Sequence, residues 1–187
     1  MQIVDVQDKI DHELISHDQI VKRINEVAAQ ASKDYAGKKP LVICVLKGAI
    51  QTLSRFVSAL TIPMEMDFMS LSTYGAGTSS SGKITVRADL TTDVKDRDVL
   101  IVEDIVDSGF TLNWLVGELK KRGAKSVEIF ALLEKPARHT VDVKLKYTGF
   151  VIPDEFVVGF GLDFDEEYRN LNSIAVLKPE VYEGEIS

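Results

Sequence analysis

Three short, uninterrupted apolar runs separated by helical patterns constrain this chain more than any other feature of its sequence. The runs are LVICVL at 41–46, VLIV at 99–102 and IFALL at 129–133, the last within SVEIFALL at 126–133. An apolar run of this length, without polar alternation, is typical of a strand that is buried on both faces. The arrangement therefore predicts an α/β fold in which helices flank a central, mainly parallel sheet.

The segments between the runs supply the remaining elements. Ser16 and Gln19 resemble a capping box, and apolar residues then keep helical spacing until Gly37, which predicts a helix. Further helices are expected around 53–60 and from about 112 to 122, and further strands at 64–71, 83–90, 155–162 and 173–177.

Length and composition limit the class of protein. A chain of 187 residues suits one well-packed domain. A net charge of −7 argues against a general nucleic-acid binder, because such binders gain affinity by neutralising phosphates. The sequence contains no apolar run near the roughly 20 residues needed to cross a bilayer, and its polar start does not resemble a secretion signal. Cys44 is the single cysteine, which suits a reducing cytoplasm.

The residues that follow the second apolar run are suited to binding an anion. In open α/β sheets ligands bind beyond the carboxyl ends of the strands, and VLIV leads directly into EDIVDSGFTL at 103–112. Ser108, Gly109 and Thr111 can turn backbone N–H groups and hydroxyls toward an anion. The helix that follows adds the positive end of its dipole, so a phosphate monoester fits this loop.

Three carboxylates surround this loop and restrict the ligand further. Glu103, Asp104 and Asp107 would repel a bare polyphosphate, so the rest of the ligand should carry hydroxyls, a metal or developing positive charge. A ribose 5-phosphate that becomes cationic at C1′ meets all three conditions. Strand alternation sends Glu103 and Asp104 to opposite faces, so both can meet one sugar only if the strand ends before them. The alternative is an acidic pair solvated at a strand end.

Three glycine-containing segments could be taken for nucleotide-binding motifs or for a lid, and each needs to be compared with a simpler interpretation. GTSSSGK at 77–83 matches a P-loop up to its lysine, but Ile84 stands where the loop needs Ser or Thr, and a strand pattern follows instead of a helix. GFG at 159–161 lacks the third glycine of a dinucleotide-binding fingerprint. TYGAGTSSSG at 73–82 is compatible with a mobile lid and with a simple hairpin loop.

The segment EDIVDSGFTL resembles the phosphoribosyl-diphosphate signature of the type I phosphoribosyltransferases. The similarity extends to LKGA at 46–49, STY at 72–74, LLEKPAR at 132–138 and DEFVVGFGLDFDEEYRNL at 154–171. Together these motifs resemble the hypoxanthine-guanine branch of the family over nearly the whole chain. The resemblance implies the type I phosphoribosyltransferase fold as a single domain over 1–187, with a small hood from about 1–15 and 151–187 and a mobile loop at about 73–83.

The resemblance also implies an activity, which is purine salvage by a pentosyltransferase. The 5-phosphoribosyl group would pass from phosphoribosyl diphosphate to N9 of hypoxanthine or guanine, with Mg²⁺ as cofactor, giving IMP or GMP and pyrophosphate. The implied partners are these small-molecule substrates and further copies of the chain in a homodimer or homotetramer, with no nucleic acid and no membrane.

By position, the resemblance gives each part of the substrates a set of residues. The ribose and 5-phosphate set is Glu103, Asp104, Asp107, Ser108, Gly109, Phe110 and Thr111. The pyrophosphate set is Lys47, Gly48 and Arg169, and the purine set is Lys135, Phe156, Val157 and Asp163. Asp107 is the implied catalytic acid–base, Glu103, Asp104 and Asp163 are the implied magnesium ligands, and Thr73 and Tyr74 belong to the implied lid.

Some details depart from the family pattern or have a simpler explanation. Phe110 stands where some relatives carry a lysine, and Ala49 replaces a glycine found in many of them. The resemblance implies a cis peptide between Leu46 and Lys47. Considered alone, the implied site residues have ordinary alternatives: solvated lysines at 47 and 135, a core aromatic at 156, and a salt bridge from Arg169 to the acids at 165–167.

Two functions of other classes compete with the enzyme. A regulator that senses phosphoribosyl diphosphate while binding nucleic acid would need a basic face or an added helix-turn-helix. A phosphoacceptor domain could explain Glu103 and Asp104, but it would have no use for Lys135 or the aromatic segment near Phe156.

Overall fold

A computed structural model of the chain describes residues 1–74 and 83–183. Within that part the strands are β1 Ile10–Ile15, β2 Leu41–Leu46, β3 Glu65–Tyr74, β4 Lys83–Ala88, β5 Asp98–Val106, β6 Ser126–Glu134, β7 Tyr147–Val151, β8 Val157–Val158 and β9 Ile174–Leu177. The α-helices are α1 His17–Asp34, α2 Ile50–Ala59, α3 Phe110–Lys121 and α4 Pro179–Tyr182, and single 3₁₀ turns lie at Ile3–Val6 and Pro136–Arg138.

A six-stranded sheet in the order β4-β3-β2-β5-β6-β7 forms the centre of the fold. Its neighbouring strands are parallel except for β4, which runs antiparallel to β3 at one edge. Alternate residues of β2 join two different cores: Val42 packs on the face covered by α1 and α2, and Ile43 packs on the face covered by α3. The predicted α/β fold with a mainly parallel, helix-flanked sheet is therefore confirmed.

Local sequence signals determine where the helices begin. The Ser16 hydroxyl accepts a hydrogen bond from the Gln19 backbone N–H, and the Gln19 side chain accepts from the Ser16 N–H. This reciprocal pair is the predicted capping box, so α1 begins at His17. In contrast, α3 follows Gly109, whose φ of 79° lies in the left-handed region that favours glycine.

The N-terminal and C-terminal parts of the described chain meet in a second sheet, ordered β1-β9-β8 and antiparallel throughout. Its first strand, β1, and strand β7 of the central sheet were not predicted from the sequence. The strand predicted over 155–162 is wrong in extent, because only Val157–Val158 form a strand there, and the chain then turns so that Gly159 and Leu162 pair with each other in an isolated bridge. No described helix is long and apolar enough to span a membrane.

Candidate active site

The three apolar runs lie side by side in the central sheet, in the order β2-β5-β6. Because these strands are parallel, their carboxyl ends share one edge of the sheet. Lys47 and Gly48 follow β2, the 107–109 loop follows β5, and Lys135 follows β6. The structure thus gathers at one edge three sets of residues that are far apart in the sequence.

The loop after β5 lines an open cavity at the start of α3. The residues lining it are Val45, Leu71, Glu103, Ile105, Val106, Asp107, Ser108, Gly109, Thr111 and Leu112. A side chain at Gly109 would place its Cβ 2.8 Å from Val143 Cγ2, so both the positive φ and the packing require glycine. The backbone N–H of Thr140 donates to the Ser108 carbonyl at 3.0 Å and fixes the loop from outside. We call this space the anion cavity. Phe110, the first residue of α3, does not line the cavity, and its side chain is exposed.

Glu103 and Asp104 both face the site, but the prediction that the strand ends before them is wrong. The strand does not end before them, because β5 continues its pairing with β6 as far as Val106. Glu103 is nearly buried and lines the anion cavity, whereas Asp104 faces Gly48. The Asp104 backbone N–H donates to Oε1 of Glu103 at 3.2 Å, so the two residues remain in contact. Burial, followed by the adjacent negative charge of Asp104, raises the pKa of Glu103 well above its usual range.

Glycines allow the backbone to approach this acidic pair closely. A Cβ on Gly48 would collide with Oδ2 of Asp104, and a Cβ on Gly161 would collide with the carbonyl oxygen of Gly48. The Leu46–Lys47 peptide that leads into this contact is cis, as the resemblance implies. The GFG segment, a poor dinucleotide fingerprint, therefore packs the loop after β8 against the loop after β2.

Lys47 and Arg169 lie on the same side of the site and share a carboxylate. Lys47 Nζ is 2.9 Å from Oε2 of Glu166, and Arg169 Nη2 is 3.4 Å from the same oxygen. Arg169 Nη1 also lies 2.9 Å from Oδ1 of Asp163. The salt bridge from Arg169 to the acids at 165–167, the simpler alternative, is present in this structure.

Lys135 is nearly buried at the end of β6, with 8% of its surface exposed. Its Nζ donates to the Glu155 carbonyl at 2.6 Å and lies 3.9 Å from Oδ1 of Asp154. Burial lowers the pKa of this ammonium, although the Asp107 charge opposes the change. The alternative of a solvated surface lysine is therefore wrong for Lys135.

A second cleft, which we call the base cleft, opens beside Lys135. Its lining residues are Asp107, Lys135, Arg138, Asp154, Glu155, Phe156 and Tyr182. Phe156 is 37% exposed, so it is not the core aromatic of the simpler interpretation. Val157, the next residue, is buried in β8. Asp107 lines the anion cavity as well, so this one side chain stands where the two spaces meet.

Two of the three implied metal ligands are neighbours and the third is not grouped with them. Glu103 and Asp104 form a pair, whereas Asp163 bonds to Arg169 and accepts from the Glu166 N–H at 3.0 Å. Across residues 1–74 and 83–183 there is no group of three His, Cys, Asp or Glu side chains placed to hold a metal ion.

The lid falls mostly outside the described residues. Thr73 and Tyr74 contribute backbone to the end of β3, paired with β4, and residues 75–82 are not described.

Three side chains of the site were not assigned from the sequence. Arg138 Nε lies 2.9 Å from Oδ1 of Asp107, Glu166 joins Lys47 to Arg169, and the Tyr182 ring stacks on Phe156 at 4.8 Å between centroids. Arg138 and Glu166 lie inside the quoted motifs, which is the only signal the sequence offers for them. Tyr182 lies outside every motif.

Comparisons with known proteins agree with this geometry. The phosphoribosyl transferase domain family matches residues 12–165. The chain is 47% identical to the hypoxanthine-guanine phosphoribosyltransferase of Bacillus subtilis (strain 168) over 94% of this chain and 97% of that protein. It is 48% identical to the bifunctional protein TilS/HprT of Listeria monocytogenes over 90% of this chain, but it spans only 26% of the length of that relative.

Solved structures of hypoxanthine and hypoxanthine-guanine phosphoribosyltransferases also align with this chain. A crystal structure of hypoxanthine phosphoribosyltransferase from Staphylococcus aureus aligns with a TM-score of 0.92 at 40% identity, covering 95% of this chain and 97% of that one. A hypoxanthine-guanine phosphoribosyltransferase from Bacillus anthracis, solved with a HEPES molecule in its active site, aligns with a TM-score of 0.87 at 38% identity, covering 91% and 100%.

Proposed function

Because this chain belongs to the phosphoribosyltransferase family, and within it to the hypoxanthine-guanine branch, we propose that it catalyses purine salvage. The reaction transfers the 5-phosphoribosyl group of phosphoribosyl diphosphate to N9 of hypoxanthine or guanine and yields IMP or GMP and pyrophosphate. One observation carries the proposal: Asp107 lines both the anion cavity and the base cleft. A ligand held by its phosphate in the first space would therefore bring its sugar to a purine in the second.

The anion cavity suits the 5-phosphate. Ser108, Gly109 and Thr111 line it, and α3 begins directly behind them at Phe110. The first turn of a helix leaves N–H groups without intrahelical acceptors, and the helix dipole adds to their attraction for an anion. Phe110, which replaces the lysine of some relatives, contributes only its backbone, so backbone groups and hydroxyls would provide the binding.

Glu103 and Asp104 suit the ribose hydroxyls and a magnesium ion. Two carboxyl groups held together by burial repel each other when charged, and a divalent cation would offset that repulsion. Magnesium is commonly held by one or two carboxylates together with substrate phosphates and water, so this pair fits it without a third protein ligand. When bound, the ion would neutralise the diphosphate leaving group. Asp163 belongs to this set by resemblance alone.

The base cleft suits a 6-oxopurine. The Lys135 ammonium has three donors and no acceptor, so it accepts a 6-oxo group and is poorly matched to the 6-amino group of adenine. Phe156 presents an exposed ring on which a base can stack. The backbone of Val157, which continues from Phe156, and that of Asp163 would contact the remaining purine edge.

Asp107 would act as the base. As the C1′–O bond to pyrophosphate breaks, its electron pair leaves with pyrophosphate and the sugar gains positive charge, which a nearby carboxylate stabilises. The N9 lone pair forms the new bond to C1′, the N7–H bond breaks, and the Asp107 carboxylate takes that proton. Lys47, Gly48 and Arg169 would bind the departing pyrophosphate. Thr73 and Tyr74 would close the site and exclude the water that otherwise hydrolyses the cationic sugar.

We also infer how the chain is organised and where it works. Residues 1–187 act as a single domain in which the β1-β9-β8 sheet serves as the hood. The buried free thiol of Cys44 suits the cytoplasm, and the family resemblance supports a homodimer or homotetramer.

Separate assays with four bases test the proposed function. The chain is incubated with phosphoribosyl diphosphate, MgCl₂ and hypoxanthine, guanine, xanthine or adenine, and nucleotide formation is measured. We expect IMP from hypoxanthine, GMP from guanine, no AMP from adenine, and loss of turnover with excess EDTA. AMP formed as fast as IMP, or no nucleotide from any base, would contradict the proposal.

A further inference from the structure

The two cations assigned to pyrophosphate are joined by one carboxylate oxygen of the protein itself. Lys47 Nζ lies 2.9 Å from Glu166 Oε2, and both Nε and Nη2 of Arg169 lie 3.4 Å from the same atom. An anion bound between Lys47 and Arg169 would therefore have to displace the Glu166 carboxylate.

Arg169 does not need Glu166 to hold its position. Its Nη1 bonds to the Gly161 carbonyl at 2.9 Å and to Oδ1 of Asp163 at 2.9 Å. Its backbone carbonyl also accepts a hydrogen bond from the Gln51 side chain. These contacts anchor both ends of Arg169, so loss of the Glu166 carboxylate leaves the guanidinium in place and available to another anion.

The Glu166 contacts are also weak enough to be exchanged. The side chains of Glu166 and Lys47 are 62% and 66% exposed. Ion pairs at such exposed positions contribute little, because water competes with them and long side chains lose entropy. A magnesium diphosphate offers several oxygens and more charge, so it can replace one carboxylate at these two cations.

We propose that Glu166 is an internal competitor for the diphosphate and sets the affinity of the site for phosphoribosyl diphosphate and pyrophosphate. In the free protein its carboxylate pairs with Lys47 and Arg169, and it returns to them as pyrophosphate leaves. This inference rests on the proposed function, because it takes the Lys47 and Arg169 pair as the diphosphate site.

Glu167 supplies a matched control for this role. It follows Glu166 in the same exposed turn and carries the same charge. Within the part of the chain that the structure describes, its side chain takes part in no hydrogen bond or ion pair. Glu166→Gln and Glu167→Gln therefore make the same change in net charge, but only the first removes the bridge.

Calorimetric titration of the full chain with pyrophosphate and MgCl₂ tests the inference. We expect Glu166→Gln to bind about two- to fivefold more tightly than the unchanged chain, the range that loss of an exposed ion-pair competitor gives, and Glu167→Gln to bind less than 1.5-fold more tightly. In steady-state kinetics, Glu166→Gln should lower the KM for phosphoribosyl diphosphate by a similar factor and leave the KM for hypoxanthine unchanged.

Two results would overturn the role of Glu166. Weaker pyrophosphate binding by Glu166→Gln would mean that the carboxylate positions the two cations. An equal gain in pyrophosphate affinity in both variants would mean that the change in net charge, and not loss of the bridge, causes the effect. Failure of the unchanged chain to bind pyrophosphate at all would instead remove the diphosphate site on which the proposed function depends.

Discussion

At the scale of single residues, Asp107 lines both the anion cavity and the base cleft and forms an ion pair with Arg138. Arg138 Nε lies 2.9 Å from its Oδ1, and Arg138 Nη1 lies 3.6 Å from Asp154. The guanidinium contacts Oδ1, so Oδ2 would be the oxygen that takes a proton in the proposed reaction. Arg138 therefore contacts the proposed base at one oxygen only and does not cover the other.

Replacement of Asp107 by Asn tests its proposed role in proton transfer separately from the binding of phosphoribosyl diphosphate. Asn keeps the size of the side chain but cannot accept a proton, so we expect kcat to fall about 100-fold or more, which is the usual range for loss of a general base. The Kd of phosphoribosyl diphosphate, measured by calorimetry, should change by less than about threefold, because other groups hold the phosphate. Unchanged turnover would remove Asp107 from this role.

Replacement of Lys135 by Gln tests how the base is chosen. The amide offers both a donor and an acceptor, so it can face a 6-oxo or a 6-amino group, and the preference for hypoxanthine over adenine in kcat/KM should fall at least about tenfold. The matched control is Lys22→Gln, at an exposed position on α1, which should leave the preference unaltered. A Lys135→Gln variant that still rejects adenine equally well would exclude contact with the 6-position.

At the scale of elements, the sequence predicted the buried strands better than their ends. VLIV suggested that β5 stops at Val102, because two carboxylates follow, but pairing with β6 carries the strand on to Val106. A local pattern cannot reveal this extension, because the neighbouring strand supplies the hydrogen bonds. For the same reason β1 was not predicted, because three of its six residues are polar and, among the described strands, it pairs only with β9 at 174–177.

The short helix α4 supports the ring on which the purine would stack. Tyr182 lies parallel to Phe156 with an interplanar angle of 18°, and Phe164 meets Phe156 edge-on at 5.6 Å. Tyr182 and Phe164 both pack against the core of the β1-β9-β8 sheet. The stack therefore joins Phe156 to the β1-β9-β8 sheet and holds its ring plane.

We expect Tyr182→Ala to raise the KM for hypoxanthine about three- to tenfold, because an aromatic pair contributes roughly 0.5–1.5 kcal/mol. The KM for phosphoribosyl diphosphate should stay constant, and Tyr182→Phe, which keeps the stack, should behave like the unchanged chain. A lower KM for hypoxanthine in Tyr182→Ala would contradict this account, because it would mean that the tyrosine occupies the place of the purine.

At the scale of the whole molecule, the two sheets meet through backbone contacts that involve glycine. Gly161, after β8, packs on the carbonyl of Gly48, and Gly48 packs on the Asp104 carboxylate. The motifs DEFVVGFGLDFDEEYRNL and LKGA predicted that these segments share a site, but not that they touch. Such contacts, like the bridge through Glu166, depend on how two distant loops are folded together, and residue type alone does not encode that.

Substitution of Gly161 by Ala tests this coupling. Its φ of 104° is strained for alanine and its Cβ would meet backbone, which cannot rotate away as a side chain can, so we expect a loss of about 3 kcal/mol in unfolding free energy. Gly37→Ala is the control, since φ there is 74° and nothing lies within 4 Å of the added Cβ, so only about 1 kcal/mol should be lost.

Urea denaturation gives the free energy of unfolding of both variants. Steady-state kinetics then show whether the Gly161→Ala substitution also affects substrate binding. Because Gly161 presses on the loop that carries Lys47, the Gly161→Ala variant should raise the KM for phosphoribosyl diphosphate more than the KM for hypoxanthine. Gly37→Ala should leave both constants unchanged. Equal losses of stability in the two variants would mean that the loops can separate freely, and the loop after β8 would then influence the proposed diphosphate site through the side chains of Arg169 and Glu166 instead.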